Sequence, residues 1–205
     1  MKKLEEHWLA ILTHVAALTP LAVMAWEYAR GQLSVDPIRE ITLRTGKAAL
    51  VLLVLSLAVT PVHILFKFRP ALKLRRPLGL YAFLYAALHG LTFVGLDYGF
   101  NLGLILREVL QKRFVQAGIL AFLLLLPLAI TSTRGWMRRL GKNWKRLHRL
   151  VYLAALAVVV HFVWLAKGDI REPLLYGAVV VVLLAIRLPF VRRAVRRKES
   201  VDGSQ

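Results

Sequence analysis

The sequence predicts an all-α membrane protein, a bundle of six transmembrane helices with both termini in the cytoplasm. Three observations predict this fold. The 205 residues are 58% hydrophobic with a mean hydropathy of +0.59, the apolar residues are gathered in six long runs, and the basic residues cluster in every second connection between runs. A soluble domain of this length is nearer half apolar and could not bury so many long apolar runs.

Each of the six runs has roughly 20 residues, enough to cross a ~30 Å hydrocarbon core as a helix. Helix is the expected form, because lipid offers no partner to an unpaired backbone group and the runs lack the alternation of an outer-membrane strand. We find no internal repeat and no second domain, so residues 1–205 are expected to form a single transmembrane domain. The predicted spans are Trp8–Trp26, Gly46–Phe66, Pro77–Leu96, Phe114–Thr133, His148–Ala166 and Leu174–Phe190.

The basic residues follow the positive-inside rule. The N-terminus, the loops after spans two and four, and the tail together hold 18 basic and four acidic residues, whereas the other three loops hold eight basic and seven acidic. The formal net charge of +18 does not indicate nucleic-acid binding, because the basic residues form short clusters between apolar runs rather than one polar face. Contact with anionic lipid headgroups is the expected role of these clusters.

Composition excludes several functions. The chain has no cysteine, which rules out disulfides, thiolate metal sites and Cys-ligated iron–sulfur clusters and leaves histidine as the main candidate ligand of a redox metal. The predicted spans contain no Asp or Glu, and their only charged residues are Lys47, Arg149 and Arg187, each near a span end. The missing carboxylates count against an ion-coupled transporter, and no HExxH, GxSxG or P-loop pattern is present.

Two histidines are predicted to lie at the same depth. His89 follows Arg76, at the start of span three, by 13 residues, and His161 follows His148, at the start of span five, by 13 residues. At 1.5 Å per residue both lie roughly 20 Å from the inner edge, in the outer half of the bilayer. Two imidazoles that meet from two helices are what bis-histidine haem ligation requires, so His89 and His161 are predicted to bind a haem iron.

His148 cannot share that haem, because it lies about 20 Å along the same helix from His161 and points about 140° away from it. It either binds a second, inner haem, with His14 or His63 as possible partner, or it is an interfacial histidine beside Arg149. One haem and two haems both remain open. For His14 and His63 we favour a helix-to-helix hydrogen bond.

Short motifs extend over nearly the whole chain, and those from Thr131 to Trp164 are the most specific. They are Thr45-Gly46, Thr60-Pro61, Arg75-Arg76-Pro77-Leu78-Gly79-Leu80, Leu88-His89, Thr131-Ser132-Thr133, Leu140-Gly141-Lys142-Asn143-Trp144-Lys145-Arg146-Leu147-His148, Val151-Tyr152-Leu153 and His161-Phe162-Val163-Trp164. In these motifs the chain resembles the MsrQ (YedZ) family, the haem-binding membrane subunits of the bacterial periplasmic methionine sulfoxide reductase system. More distantly, it resembles the transmembrane domain of ferric reductases and NADPH oxidases.

The resemblance implies a b-type haem protein of the bacterial inner membrane, with FMN also associated. It implies an electron-transfer subunit, rather than a complete catalyst, that takes electrons from quinol or a flavin reductase. The electrons pass to a periplasmic molybdopterin subunit that reduces methionine sulfoxide in oxidised proteins. The family's haem histidines carry over onto His89, His148 and His161. The wider oxidase relatives place two histidines on the helix equivalent to span three, whereas here the inner position falls near Arg75 and Arg76.

The predicted mechanism is an electron wire that runs from the inner face to a periplasmic partner docked near the loops Asp97–Arg113 and Lys167–Pro173. Arg44 and Lys47, near the outer end of span two, are candidate partners of the haem propionates, which need cationic or hydrogen-bonding groups. The competing interpretation is a small membrane transporter or channel with structural histidines.

Overall fold

The computed structural model describes the backbone of residues 2–188 and the side chains from Trp8 onward. Phe190, the predicted end of span six, and the basic tail after it lie outside the described residues. Every regular element within the described part is helical, which confirms the all-α prediction. The helices are α1 (Lys2–Ala29), α2 (Pro37–Phe66), α3 (Arg75–Leu91), α4 (Leu102–Gln111), α5 (Arg113–Ile130), α6 (Arg134–Leu140), α7 (Lys142–Leu147), α8 (Leu150–Leu165) and α9 (Arg171–Ala185).

Five helical stretches are long and apolar enough to cross a membrane, and they coincide with the first five predicted spans. They are Trp8–Ala29, Pro37–Phe66, Arg69–Asp97, Arg113–Ile130 and Lys142–Leu165. The third includes a 3₁₀ turn before α3, Arg69–Lys73, and a π-helical turn after it, Thr92–Asp97. Helix α9 coincides with the start of the sixth predicted span, but its 15 residues extend only ~22 Å.

Helix α2 begins nine residues earlier than the predicted span. Asp36 caps it by accepting the Arg39 N–H at 3.1 Å, and Pro37 occupies the first turn, where its missing N–H costs nothing. Hydropathy located only the apolar part of this helix, because residues 37–45 are polar on several faces. Its 30 residues extend ~45 Å, so α2 is longer than a hydrocarbon core.

Two predicted loops contain helices. Asn101 caps α4 through the Leu104 N–H, and Thr133 caps α6 through the Trp136 N–H. Gly141 separates α6 from α7 at a φ of +49°, a conformation that favours glycine. These connections are therefore ordered helical segments.

The core is two antiparallel hairpins, α2 with α3 and α5 with α8, which contact each other through α3 and α5 and through α2 and α8. Helix α9 packs on α8 and α2, and α1 packs on α3 and α2. Small side chains permit the close approach of helices that membrane bundles favour: Ala82 on α3 and Ala154 and Ala155 on α8 are at most 1% exposed.

Tyr85 of α3 holds α1 against the core. Its buried hydroxyl donates to the Ala17 carbonyl at 2.8 Å and accepts the Leu21 N–H at 3.1 Å. These two groups would pair with each other in an uninterrupted helix. The tyrosine thus inserts into the α1 hydrogen-bond ladder beside Pro20, which has no N–H of its own.

Candidate functional site

The structure brings His89 and His161 together. His89 lies on α3 and His161 on α8, and their ring centres are 6.1 Å apart with the planes at 81°. Both lie where α2 and α5 begin, which we call the histidine end of the bundle. The opposite end, which contains Arg75, His148 and Arg187, we call the arginine end.

Each imidazole is held by a backbone carbonyl. His89 Nδ1 is 2.9 Å from the Thr42 carbonyl oxygen on α2, and His161 Nδ1 is 2.6 Å from the Phe114 carbonyl oxygen on α5. A carbonyl can only accept, so each Nδ1 carries the proton and donates it. Both Nε2 atoms are then left with a lone pair, which is how histidines that bind a metal are commonly oriented.

A glycine makes room for each ring. A Cβ atom built on Gly46 would lie 3.0 Å from His89 Nδ1, and one built on Gly118 would lie 2.9 Å from His161 Nδ1. Either contact is tighter than ordinary side-chain packing permits, so a larger residue would displace the imidazole from its carbonyl. The two glycines therefore leave space for the imidazoles; Gly46 stands in the Thr45-Gly46 motif, whereas Gly118 lies outside the motifs identified in the sequence.

The two hairpins repeat the same arrangement. Each histidine follows its carbonyl by 47 residues, and in each hairpin the glycine lies one helical turn after the carbonyl. The correspondence is limited to the spacing of a carbonyl, a glycine and a histidine. The matched spacing of Gly46 to His89 and of Gly118 to His161 is the sequence signal that could have revealed it. The surrounding residues differ too much for the repeat to stand out.

We call each imidazole, together with its carbonyl and its glycine, a half-site. The surroundings of the two half-sites differ in polarity. On the His89 side, the Thr42 hydroxyl donates to the Thr92 hydroxyl at 3.1 Å, and Thr92 donates to the His89 carbonyl at 2.8 Å. On the other side, the Phe114 ring packs against His161 with 6.2 Å between centres. The π-helical turn follows His89 within three residues, and such turns are frequent at functional sites.

The spacing of the two imidazoles suits an iron porphyrin. Two Fe–N bonds of ~2 Å, each continued by roughly 1.1 Å from the nitrogen to the ring centre, place the ring centres about 6 Å apart. The observed 6.1 Å matches this value. Within the described residues no group of three or more His, Cys, Asp or Glu could hold a metal ion, but a haem iron needs only two protein ligands because the porphyrin supplies four.

His148 lies at the arginine end, in the turn between α7 and α8. Its ring packs on Trp144 with 4.0 Å between centres, and its Nε2 is 3.3 Å from the Thr131 hydroxyl. It is thus separated from the pair at the histidine end, as its position in the sequence predicts.

The two remaining candidate histidines differ from each other. His14 Nδ1 on α1 is 2.9 Å from the Tyr81 hydroxyl on α3, the expected helix-to-helix hydrogen bond. His63 Nδ1 is buried without a hydrogen-bond partner in the described part of the chain. No helix-to-helix hydrogen bond is thus formed at that nitrogen among the described residues, and the expectation for His63 stays a prediction.

The candidate propionate partners are engaged with carboxylates. Arg44 forms ion pairs with Glu27 and Glu40, and Lys47 forms one with Glu172. These pairs connect α2 to α1 and to α9 near the histidine end. Sequence reasoning missed them, because Glu27 and Glu172 lie far from α2 along the chain.

The chain is similar to known membrane proteins over most of its length. A family model described as a ferric reductase like transmembrane component matches residues 45–159. Three curated relatives carry the name protein-methionine-sulfoxide reductase heme-binding subunit MsrQ. The one from Xanthomonas axonopodis pv. citri is 46% identical over 86% of this chain and 84% of its own. The one from Xanthomonas euvesicatoria pv. vesicatoria is 45% identical over the same shares, and the one from Rhodospirillum rubrum is 43% identical over 89% of each chain.

Proposed function

Because the chain belongs to the MsrQ family of ferric-reductase-like membrane proteins, we propose that it transfers electrons across the bacterial inner membrane through a b-type haem held between His89 and His161. The acceptor is a periplasmic molybdopterin methionine sulfoxide reductase that repairs oxidised proteins. The observation that carries the proposal is the pair of imidazoles 6.1 Å apart, each donating through Nδ1 to a carbonyl.

The residues of this chain ligate and orient the cofactor. When bound, the haem supplies one-electron redox chemistry. His89 and His161 hold the iron through Nε2, and the Thr42 and Phe114 carbonyls fix the imidazole tautomer and ring orientation. Gly46 lets α2 approach the His89 ring, as Gly118 does for His161 on α5.

The proposed topology is six spans in a single domain over residues 1–205, with α9 as the sixth span and both termini cytoplasmic. The basic residues support it, because α6 and α7 carry Arg134, Arg138, Arg139, Lys142, Lys145 and Arg146 at the arginine end. This orientation puts the histidine end on the periplasmic side, and the reductase docks there near Asp97–Arg113 and Lys167–Pro173.

The electron donor acts at the cytoplasmic side or within the membrane. Quinol is the proposed donor, with a flavin reductase as the alternative and FMN as an associated cofactor. The resemblance to the family supports the quinol donor, the flavin reductase and the FMN cofactor. Purified protein in quinol-containing nanodiscs should be reduced by added quinol, and a protein that is reduced only by a flavin reductase would exclude the quinol donor.

His148 is proposed as the ligand of a second haem at the arginine end. The carry-over of the family's three histidines supports this role. The ratio of haem to protein should be two in the wild type and one in His148→Ala. A ratio of one in both proteins would assign His148 to the interface instead.

The test of the main proposal is the colour of the purified protein from haem-replete cells. Wild type should show a low-spin b-type spectrum, and His89→Ala and His161→Ala should each lose the signal of the haem at the histidine end. His14→Ala is the matched control, because His14 is an intramembrane histidine that bonds Tyr81. A folded but colourless wild type would overturn the proposal and favour a transporter or channel.

A further inference from the structure

Arg187, two residues beyond the end of α9, reaches into the bundle. Its Nη1 donates to the Tyr152 hydroxyl at 3.0 Å, its Nη2 donates to the Leu57 carbonyl at 2.5 Å, and its guanidinium lies 5.2 Å from the Tyr152 ring centre. The Leu57 carbonyl needs a donor from outside α2, because its helical partner four residues on is Pro61, which has no N–H. Arg187 therefore satisfies a carbonyl that a proline has left free.

These contacts do not satisfy every N–H group of the Arg187 side chain. Its Nε is buried and has no hydrogen-bond partner among the described residues. Two more buried polar atoms without partners, Thr60 Oγ1 and His63 Nδ1, lie on the same turns of α2 that follow Leu57. A buried polar atom without a partner is unfavourable in a membrane bundle, and three at one end indicate that polar atoms of a ligand belong there.

A second cation lies near Arg187. Arg75 begins α3, and its carbonyl accepts the hydroxyl of Ser56 at 2.9 Å. Ser56 precedes Leu57, whose carbonyl Arg187 binds, so the two arginines approach the same turn of α2. Within the described part of the chain, no carboxylate forms an ion pair with either arginine. Two neighbouring cations at the arginine end without a counter-charge repel each other, and an anion bound between them would relieve that repulsion.

We propose that Arg75 and Arg187 form a binding site for an oxyanion, the carboxylate or phosphate of a small ligand held at the arginine end. Arginine suits such groups because its planar N–H donors match two oxygens at once. The same chemistry is present in haem propionates, in the phosphate of a flavin and in a phospholipid headgroup. The proposed oxyanion site is separate from His89 and His161. The proposal of an oxyanion site therefore does not depend on a haem between those histidines, and its failure would not contradict that haem.

The test uses the purified full chain and measures three retained ligands: haem by its pyridine haemochrome, flavin by fluorescence after acid release, and phospholipid by mass spectrometry after detergent washing. Arg75→Gln is the main variant, because the Arg75 side chain makes no hydrogen bond in the described contacts. Arg76→Gln is the matched control, because Arg76 is the next residue on the same helix and is exposed, as Arg75 is. The content of one ligand should fall by at least half in Arg75→Gln alone, and that ligand names the source of the anion.

Arg187 is tested in a background that removes its structural role. Pro61→Ala restores the N–H that pairs with the Leu57 carbonyl, so Pro61→Ala/Arg187→Gln keeps that carbonyl satisfied. The double variant should lose the same ligand as Arg75→Gln, whereas Pro61→Ala alone should retain it.

The thermal unfolding midpoint of Arg75→Gln distinguishes a bound anion from an empty site, because the expected shifts from wild type have opposite signs. If an anion is bound, removal of one cation should lower the midpoint. If no anion binds, it should raise the midpoint, because the repulsion from Arg187 is relieved. Unchanged contents of haem, flavin and phospholipid in Arg75→Gln would overturn the proposal, whether or not the double variant folds.

Discussion

At the histidine end both imidazoles donate to backbone carbonyls, and the nearby Arg44 and Lys47 form ion pairs with carboxylates. At the arginine end, by contrast, Arg75 and Arg187 form no ion pair with a carboxylate among the described residues, and Arg187 Nε has no hydrogen-bond partner there. The first end is organised by the protein alone, with only the two Nε2 lone pairs left to a ligand. The second end has donors and positive charge in excess. At one end the protein fixes the side chains that would bind a cofactor, whereas at the other end polar side chains lack partners until a molecule binds.

The largest expected effect is weaker haem retention at the histidine end. Gly46→Ala and Gly118→Ala would place a Cβ 3.0 Å and 2.9 Å from an imidazole Nδ1, so each ring is expected to shift away from its carbonyl. Loss of that hydrogen bond, with the carbonyl left unpaired, costs about 1–3 kcal/mol and should weaken haem retention about five- to a hundredfold. Absorbance of the purified variants under stepwise dilution measures this.

Gly90→Ala is the matched control for these glycines, because it adjoins His89 yet has no atom within 4 Å of an added Cβ. Normal haem retention in Gly46→Ala would show that α2 does not restrict the His89 ring. Equal losses in Gly46→Ala and Gly118→Ala would support the equivalence of the two half-sites.

An intermediate effect sharpens the description of the arginine end. Arg187→Gln leaves the Leu57 carbonyl unpaired and should lower the free energy of unfolding by about 1–2 kcal/mol. Pro61→Ala should remove most of that loss, because α2 then pairs Leu57 itself. A double-mutant cycle followed by thermal unfolding in detergent measures the coupling, and additive effects would disprove the relation between Arg187 and Pro61.

The smallest expected effect concerns the difference between the half-sites. Thr92→Val removes the hydroxyl that accepts from Thr42 and donates to His89, but it leaves the Thr42 carbonyl in place. Haem content should stay at the wild-type level while the free energy of unfolding falls by about 1 kcal/mol. A loss of haem in Thr92→Val would mean that the hydroxyl pair, rather than the carbonyl, orients His89.

Much of the candidate site could be predicted from the sequence. Hydropathy located the apolar runs, and equal spacing from the basic ends of spans three and five predicted that His89 and His161 meet. The prediction succeeded because helical rise is uniform, so depth follows from residue number. It fell short at α2 and at α4, α6 and α7, where capping residues rather than apolar content set the helix bounds.

The sequence by itself determined the all-α class, the apolar runs and the matching positions of the two histidines along their helices, because these depend on local composition and on the geometry of single helices. Only the tertiary structure decided which atoms meet. The imidazole anchors join residues 47 positions apart, and the contact of Arg187 with Leu57 joins residues 130 apart. Such contacts depend on how the hairpins pack, since each needs two helices at one angle and one register.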